Sequence, residues 1–438
     1  MVWWALWVLG SWEVDMNRSF RLVLLIGLAL TLGACSKKTS VAPLGPSPQP
    51  SPSPSVASYL FYTPPLANNH CAIDLYATQK DQAGNLFFSP FSISSALALA
   101  GEGAQGATAQ EIWTALKLNP DAAARQAAYA AVMAEVNRAG KPYTLVTAND
   151  VWLENSMGCL GAYRNVVTGP YQASVSLLNF IGDPAGSLGA INSRVADETN
   201  NVIQNLLPGG FVTTDTRLVL TNAIYFKAAW KTLFETYDTS DDPFYPTPGA
   251  PVTVPTMHVT MSANQGDYHG LAQVLEMPYV DEDVSMYVFL PPAGGMPALE
   301  NDLTGSAFSE WIAAWRAGGT SSWDAAISFP KFTFETSMDL KPALQSLGVQ
   351  TAFTASADFK GIADTDFRLD GAVHKAFVQV NEEGTEAAAA TGVGGGIATS
   401  VSAGPTPFTV DHPFLFVIYE NRADTVLFIG RVNQPVGG

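Results

Sequence analysis

The residues best able to do chemistry in this 438-residue chain are few and scattered. Its five histidines, His70, His258, His269, His374 and His412, show no metal-ligand spacing to one another, so no metal site is expected. There is no G-x-S-x-G elbow, no H-E-x-x-H helix, no P-loop and no dinucleotide-binding glycine fingerprint. The GVGGG run at 392–396 is not followed by a helix carrying a lysine, which a phosphate cradle needs. A Ser-His-Asp site assembled in space stays open at this level, with no motif in its favour. Cofactor and enzyme chemistry therefore have no support, and the strongest signal lies in EEGTEAAAATGVGGGIATSVSAGPTPF, residues 382–408. After Glu386 the next large side chain, apart from Ile397 and a pair of prolines, is Phe408. Such a run is either an idle surface loop or a segment with a task that bulky side chains would prevent.

The elements that must hold this segment read as one domain behind an export signal. Hydrophobic residues at 47% supply a core, and charged residues at only 14% leave a net charge of -17 through a shortage of Lys and Arg. That balance argues against nucleic acid and against attachment to anionic lipid by charge. From Met16, a basic stretch with Arg18 and Arg21 precedes an apolar run too short to span a membrane, which is a signal-peptide pattern. Leu32, Gly33, Ala34 and Cys35 resemble a bacterial lipobox, with Cys35 as the lipidated residue. Residues 1–35 are thus expected to be an over-extended start plus a lipoprotein signal peptide, 36–56 a Pro/Ser-rich tether, and 57–438 the domain. Cys71 and Cys159 are left either as a pair or as two free thiols.

Within the domain helices come first. Helical spacing marks ANNHCAIDLYATQK (67–80), the 89–118 stretch with Pro90 at a helix start, the Ala-rich 121–138, and 187–207 up to PGG. From about Thr216 strands take over: RLVLTNAIYFKAAW, VSMYVFLPP, the alternating AAISFPKFTFETSM and KAFVQVNEE, then PFLFVIYE and TVLFIGRV as a hairpin. DLKPALQSLGV between them returns to helix. This order predicts an α+β domain with large, mostly antiparallel sheets.

Several of these stretches together resemble the serpins, serine protease inhibitors of the suicide type. NLFFSPFSISSALALAGEGAQGATAQEI, LTNAIYFKAAWKTLFET, VPTMHV, VLEMPYVDEDVSMYVFLPP, ISFPKFTFETSMDLKPALQSLGVQTAF, AVHKAFVQVNEEGTEAAAAT and FTVDHPFLFVIYE follow in that family's order, over about residues 58–435. The resemblance implies three β-sheets, eight to nine helices, and an exposed reactive loop from Glu383 to about Thr409. It also implies a mechanism: a protease attacks the loop, and the cleaved loop inserts into the central sheet before the acyl-enzyme hydrolyses.

On that reading Glu382, Glu383, Gly384, Thr385, Glu386, Ala387, Ala388, Ala389, Ala390 and Thr391 form the hinge. An inserting strand cannot carry bulk or charge on its inward face, and period-2 alternation puts Thr385, Ala387, Ala389 and Thr391 on one face with Glu386 on the other. Glycines 392 and 394–396 depart from this requirement, because glycine weakens a strand. By resemblance Ser89, Ser92, Asn222 and His374 form a polar shutter beneath the sheet, and Lys331, Trp230 and Glu382 sit at its top. Counting from Thr385 puts the scissile bond at Ala398–Thr399, and counting back from DHPF puts it near Ser402, with Ile397 and Val401 as further candidates. All are small or β-branched, which suits the shallow pocket of an elastase-like or subtilisin-like serine protease and not a trypsin-like one. A cysteine protease is a further possible target. The expected protein is a monomeric inhibitor, not an enzyme, with no cofactor and no nucleic-acid partner. It is held at the cell envelope only through lipid or released outside the cell. The alternative is a serpin-fold binding or structural protein without inhibitory action.

Overall fold

The computed structural model describes residues 62–385 and 404–437, apart from the side chains of Ala148 and Asn222. In chain order its elements are α1 (Pro64–Gln79), β1 (Leu86–Phe88), α2 (Pro90–Gly103), α3 (Gly106–Ala115), α4 (Ala122–Val136), β2 (Thr144–Glu154), α5 (Gly161–Thr168), β3 (Ser174–Leu178), α6 (Pro184–Glu198) and β4 (Leu218–Ala229). Then follow β5 (Ser240–Thr247), β6 (Ala250–Tyr268), β7 (Ala272–Pro278), β8 (Val284–Leu290), α7 (Met296–Asp302), α8 (Gly305–Arg316), β9 (Ser321–Pro330), β10 (Phe332–Asp339) and α9 (Lys341–Ser346). The chain ends with β11 (Val373–Asn381), the two-residue β12 (Gly384–Thr385), β13 (Thr406–Thr409), β14 (Phe414–Glu420) and β15 (Thr425–Val432).

The α+β class is as expected, with nine α-helices among the described residues. One sheet has six strands in the order β10-β11-β12-β4-β2-β3. The second hydrogen-bonded network has nine strands and contains the other two expected sheets, which share the 19-residue β6. The first part of β6 pairs with β5 and β9, and its last four residues pair with β7. The core between the two networks joins Phe226, Val378 and Val380 of the six-stranded sheet to Leu275, Val288, Phe329 and Phe416 of the other. Strands β8, β14 and β15 are buried along their whole length, which is why their sequences are mostly apolar, with Ser285, Glu420, Thr425 and Arg431 as buried polar exceptions. The opposite face of the six-stranded sheet is covered by α6, whose Ile191 and Val195 pack with Trp152, Val219 and Ala223.

Capping explains the helix starts. Ser89 accepts a hydrogen bond from the Ser92 N–H ahead of Pro90, and Asp121, Asp183 and Thr304 cap α4, α6 and α8 in the same way. Three expectations need correction. The helical stretch 89–118 is two helices, broken at Ala104–Gln105, with Gly106 at φ 54° opening the second. The helix expected to reach PGG stops at Glu198, because Asn200, Asn201 and Asn205 adopt left-handed backbone and the Thr199 hydroxyl accepts from the Ile203 N–H. The alternating run 325–338 divides at Lys331 into β9 and β10, which belong to different networks. Two strands of the six-stranded sheet, β2 and β3, also lie inside the half that reads as helical. Cys71 is buried, Cys159 is half-buried, and both are free thiols.

Candidate functional site

The site is the top of the six-stranded sheet, where β11 turns back on itself. Asn381 makes that turn: its Oδ1 accepts the N–H groups of Glu383 at 3.0 Å and Gly384 at 3.2 Å. Gly384 and Thr385 then enter the sheet antiparallel to both neighbours. Thr385 lies opposite Val380 on one side and Ala228 on the other. Gly384 has φ 152°, and a Cβ there would collide with the Ala228 carbonyl oxygen, so only glycine lets the chain pass so close to β4. Among the described residues the flanking strands β11 and β4 do not pair with each other. The expected exposed loop is therefore not exposed at its start: Gly384 and Thr385 are buried strand residues. Thr385 is 4% exposed, and its hydroxyl shares a 2.6 Å hydrogen bond with the phenol of Tyr279. Burial holds the Tyr279 phenol well above its usual range, so it stays neutral there.

Around this entry point the backbone is pinned. The Trp230 N–H donates to the Glu383 carbonyl at 2.9 Å and its indole N–H to the Asn381 carbonyl at 3.0 Å, while the ring stacks on Tyr279 with centroids 4.5 Å apart. Phe234 N–H donates to the Glu382 carbonyl at 3.1 Å. The Glu382 carboxylate is buried and takes Lys331 Nζ at 3.0 Å and the Thr239 hydroxyl at 2.8 Å. Burial pushes this carboxyl up, but hydrogen bonds from its own N–H, Thr239 and Lys331 outweigh it and leave the group below the usual carboxylate range. The Lys331–Glu382 pair is thus a partly buried link between the start of β10 and the turn.

Lower in the same sheet, the Ser89 N–H donates to His374 Nε2 at 3.0 Å, and the Ser89 hydroxyl donates to the Leu427 carbonyl at 2.7 Å. The imidazole is buried and pushed down to about 3 by desolvation, so it is neutral and accepts at Nε2. The Ser92 N–H closes the group on Ser89 Oγ at 3.1 Å. Asn222 lies opposite Asn149 in the β2–β4 ladder, and its side chain is outside the described residues.

At the loop's far end Gly404 to Pro407 are exposed, and β13 runs parallel to β9 with Phe408 buried. Glu386 to Thr391, Ile397, Ala398, Thr399, Val401, Ser402 and Cys35 all lie outside the described residues. Tyr279, Thr239 and Asn381 are site residues that sequence reasoning misses. Tyr279 stands 106 positions before Thr385, and no local pattern announces such a partner.

An α+β molecule whose central sheet takes in the first residues of a long C-terminal loop has the architecture of a serpin. The chain belongs to that family: the model described as "Serpin (serine protease inhibitor)" matches residues 66–435. A leukocyte elastase inhibitor from Bos taurus is 36% identical over 378 residues, covering 84% of this chain and 98% of the relative. An uncharacterized serpin-like protein from Methanosarcina acetivorans is 32% identical, covering 96% of this chain and 99% of the relative. Among solved structures, human thyroxine-binding globulin superposes with TM-score 0.76 at 27% identity, covering 87% of this chain and all of that one.

Proposed function

We propose that this serpin is a suicide-type inhibitor of a serine protease with a small apolar primary pocket, elastase-like or subtilisin-like, and that Cys35 carries a lipid that holds it at the cell envelope. The observation that carries the inhibitory reading is the register of Gly384 and Thr385 between β11 and β4. Continued downward, that register sets Ala387 between Phe226 and Val378, Ala389 between Ile224 and Ala376, and Thr391 between Asn222 and His374. Every residue of this β11 row is buried, as are Ala228, Phe226 and Ile224 on β4. The incoming side chains must therefore be small, and they are Thr, Ala, Ala and Thr. Each residue that enters gains ladder bonds on both edges, worth about 1 kcal/mol net apiece.

The chemistry follows from this competition. A protease serine attacks the carbonyl before the scissile bond, at Ala398 by the count from the hinge. The peptide bond breaks, the amine at Thr399 leaves, and an acyl-enzyme remains. The freed hinge then enters the sheet before water can cleave the ester. Small candidate residues at 397–402 and a relative that is a leukocyte elastase inhibitor support the assigned protease class.

The test is incubation of the exported chain with pancreatic elastase or subtilisin, followed by denaturing electrophoresis. A protease-sized upward shift that survives denaturant is expected. Complete loop cleavage with no such band would overturn the inhibitor reading and favour a non-inhibitory serpin.

A further inference from the structure

Trp323 on β9 is 55% exposed, whereas Trp113, Trp152, Trp230, Trp311 and Trp315 are all buried. It lines an open groove of about 490 Å³ together with Gln265, Asp267, Gln273, Thr406 and Pro407. An indole is among the largest apolar groups a chain can leave in water, and tryptophan is enriched where binding energy concentrates. Its position is specific. β13 runs parallel to β9 with Thr406 opposite Ala325, so the same register two residues earlier sets Gly404 beside Trp323. Gly404 lies two residues after Ser402 and six after Ala398, which is at most about 7–21 Å of extended chain. A small protein domain is about 30 Å across. A protease seated on any bond in 397–402 therefore has this groove within reach of the leaving-group side of its cleft.

The groove also has a sign. Asp267 is exposed on its wall, and the whole chain carries a net charge of -17. An exposed indole that shares a groove with a carboxylate four residues further along β6 from its cross-strand partner Ala263 suits the basic rim of a partner, whose cations gain from the ring face and from the negative charge. We infer that Trp323 and Asp267 form a second contact for the attacking protease, taking up an Arg or Lys from the rim on the leaving-group side of its cleft. This rests on the reading of 397–402 as the attacked segment and adds a determinant of which protease is chosen.

The experiment compares Trp323→Ala and Asp267→Asn with the wild-type chain against pancreatic elastase and subtilisin. It measures the second-order rate of loop cleavage, the fraction trapped, and the heat midpoint. Trp323→Ala is expected to slow loop attack about tenfold on a protease with a basic rim. Asp267→Asn, which keeps the turn hydrogen bond to Gly270, is expected to slow it about threefold and flatten its salt dependence. The trapped fraction and heat midpoint should not move, because both side chains are exposed and remote from the hinge. Unchanged attack rates in both variants overturn the second contact while leaving trapping intact. A slowed attack with no trapped complex in any variant keeps the contact and removes the inhibitor reading. Absence of both cleavage and trapping in the wild-type chain removes both. A rate change that follows self-association of the chain, seen as a concentration-dependent size, also overturns the contact.

Discussion

Thr385 shows how narrow the tolerance of the hinge is. Its hydroxyl is spent on Tyr279 and its neighbours Ala228 and Val380 are buried, so a long cationic side chain has nowhere to go. Thr385→Arg is expected to turn the inhibitor into a substrate, because each added 1.4 kcal/mol or so of insertion barrier slows that step about tenfold. The ratio of trapped to cleaved chain on a denaturing gel measures it, and a wild-type ratio would refute the assigned register. Side-chain partnerships of this kind are the least legible part of the sequence. The inward side chain of Thr385 can be read from alternation, and His374, Ser89, Lys331 and Glu382 from family resemblance. That Ser89 meets His374 across 285 positions, or that Thr239 completes the Glu382 site, depends on how distant strands register.

Among the elements, α6 carries a titratable clamp on the sheet. Asp150 of β2 is buried, accepts from the Ser174 hydroxyl and lies 3.8 Å from Arg194, which also pairs with Glu198. One oxygen each of Asp150 and Glu198 is buried without a hydrogen-bond partner. Burial first, and the Asp150 carboxylate second, push the Glu198 carboxyl up to about 7. A folded-state value above the ordinary one means a contribution fully present below about pH 4.5 and lost as pH rises towards 7. Glu198→Gln cannot ionise, so at pH 8 it should melt about 2–4 °C above the wild-type chain, with no gain at pH 5. Equal differences at both pH values would show that the Glu198 carboxyl is not raised in the folded chain. Elements themselves are more legible than their partners. The strand-forming run of β11 and the proline-marked start of α2 stand out in the sequence, whereas α6 begins at Pro184, three residues before the stretch that reads as helical. The end of α6 does not, because left-handed asparagines stop it inside an amphipathic pattern. β2 escapes because its TLVTANDVWLE mixes polar residues that bond within the sheet, such as Asp150, with apolar ones.

For the molecule as a whole, the proposed insertion means that the uncut chain, with Gly384 and Thr385 already in the sheet, is a fold short of its most stable arrangement. Heating the chain after cleavage within 392–402 should give a midpoint well above that of the intact chain, followed by circular dichroism. Equal midpoints would place the protein outside the inserting class. The lower end of β11 then acquires a meaning. Strand β11 begins at Val373, and the register that sets Thr385 beside Val380 reaches Val373 at Gly392. Beyond that point an incoming chain has only β4 for company, as far as Leu218 beside Gly395. A cavity of only about 50 Å³ lies at this foot, lined in part by Leu218, Leu220, Val373 and His374. Glycines there forfeit little, since one edge is missing and a side chain would find scant room. On the proposed insertion β11 is thus a tape measure: it would fix a haul of about 23 Å from Thr385 to Gly392, at roughly 3.3 Å per residue. Whatever hangs on the cut end beyond Gly396 is towed clear of the sheet's foot, and the glycines are the slack in the rope.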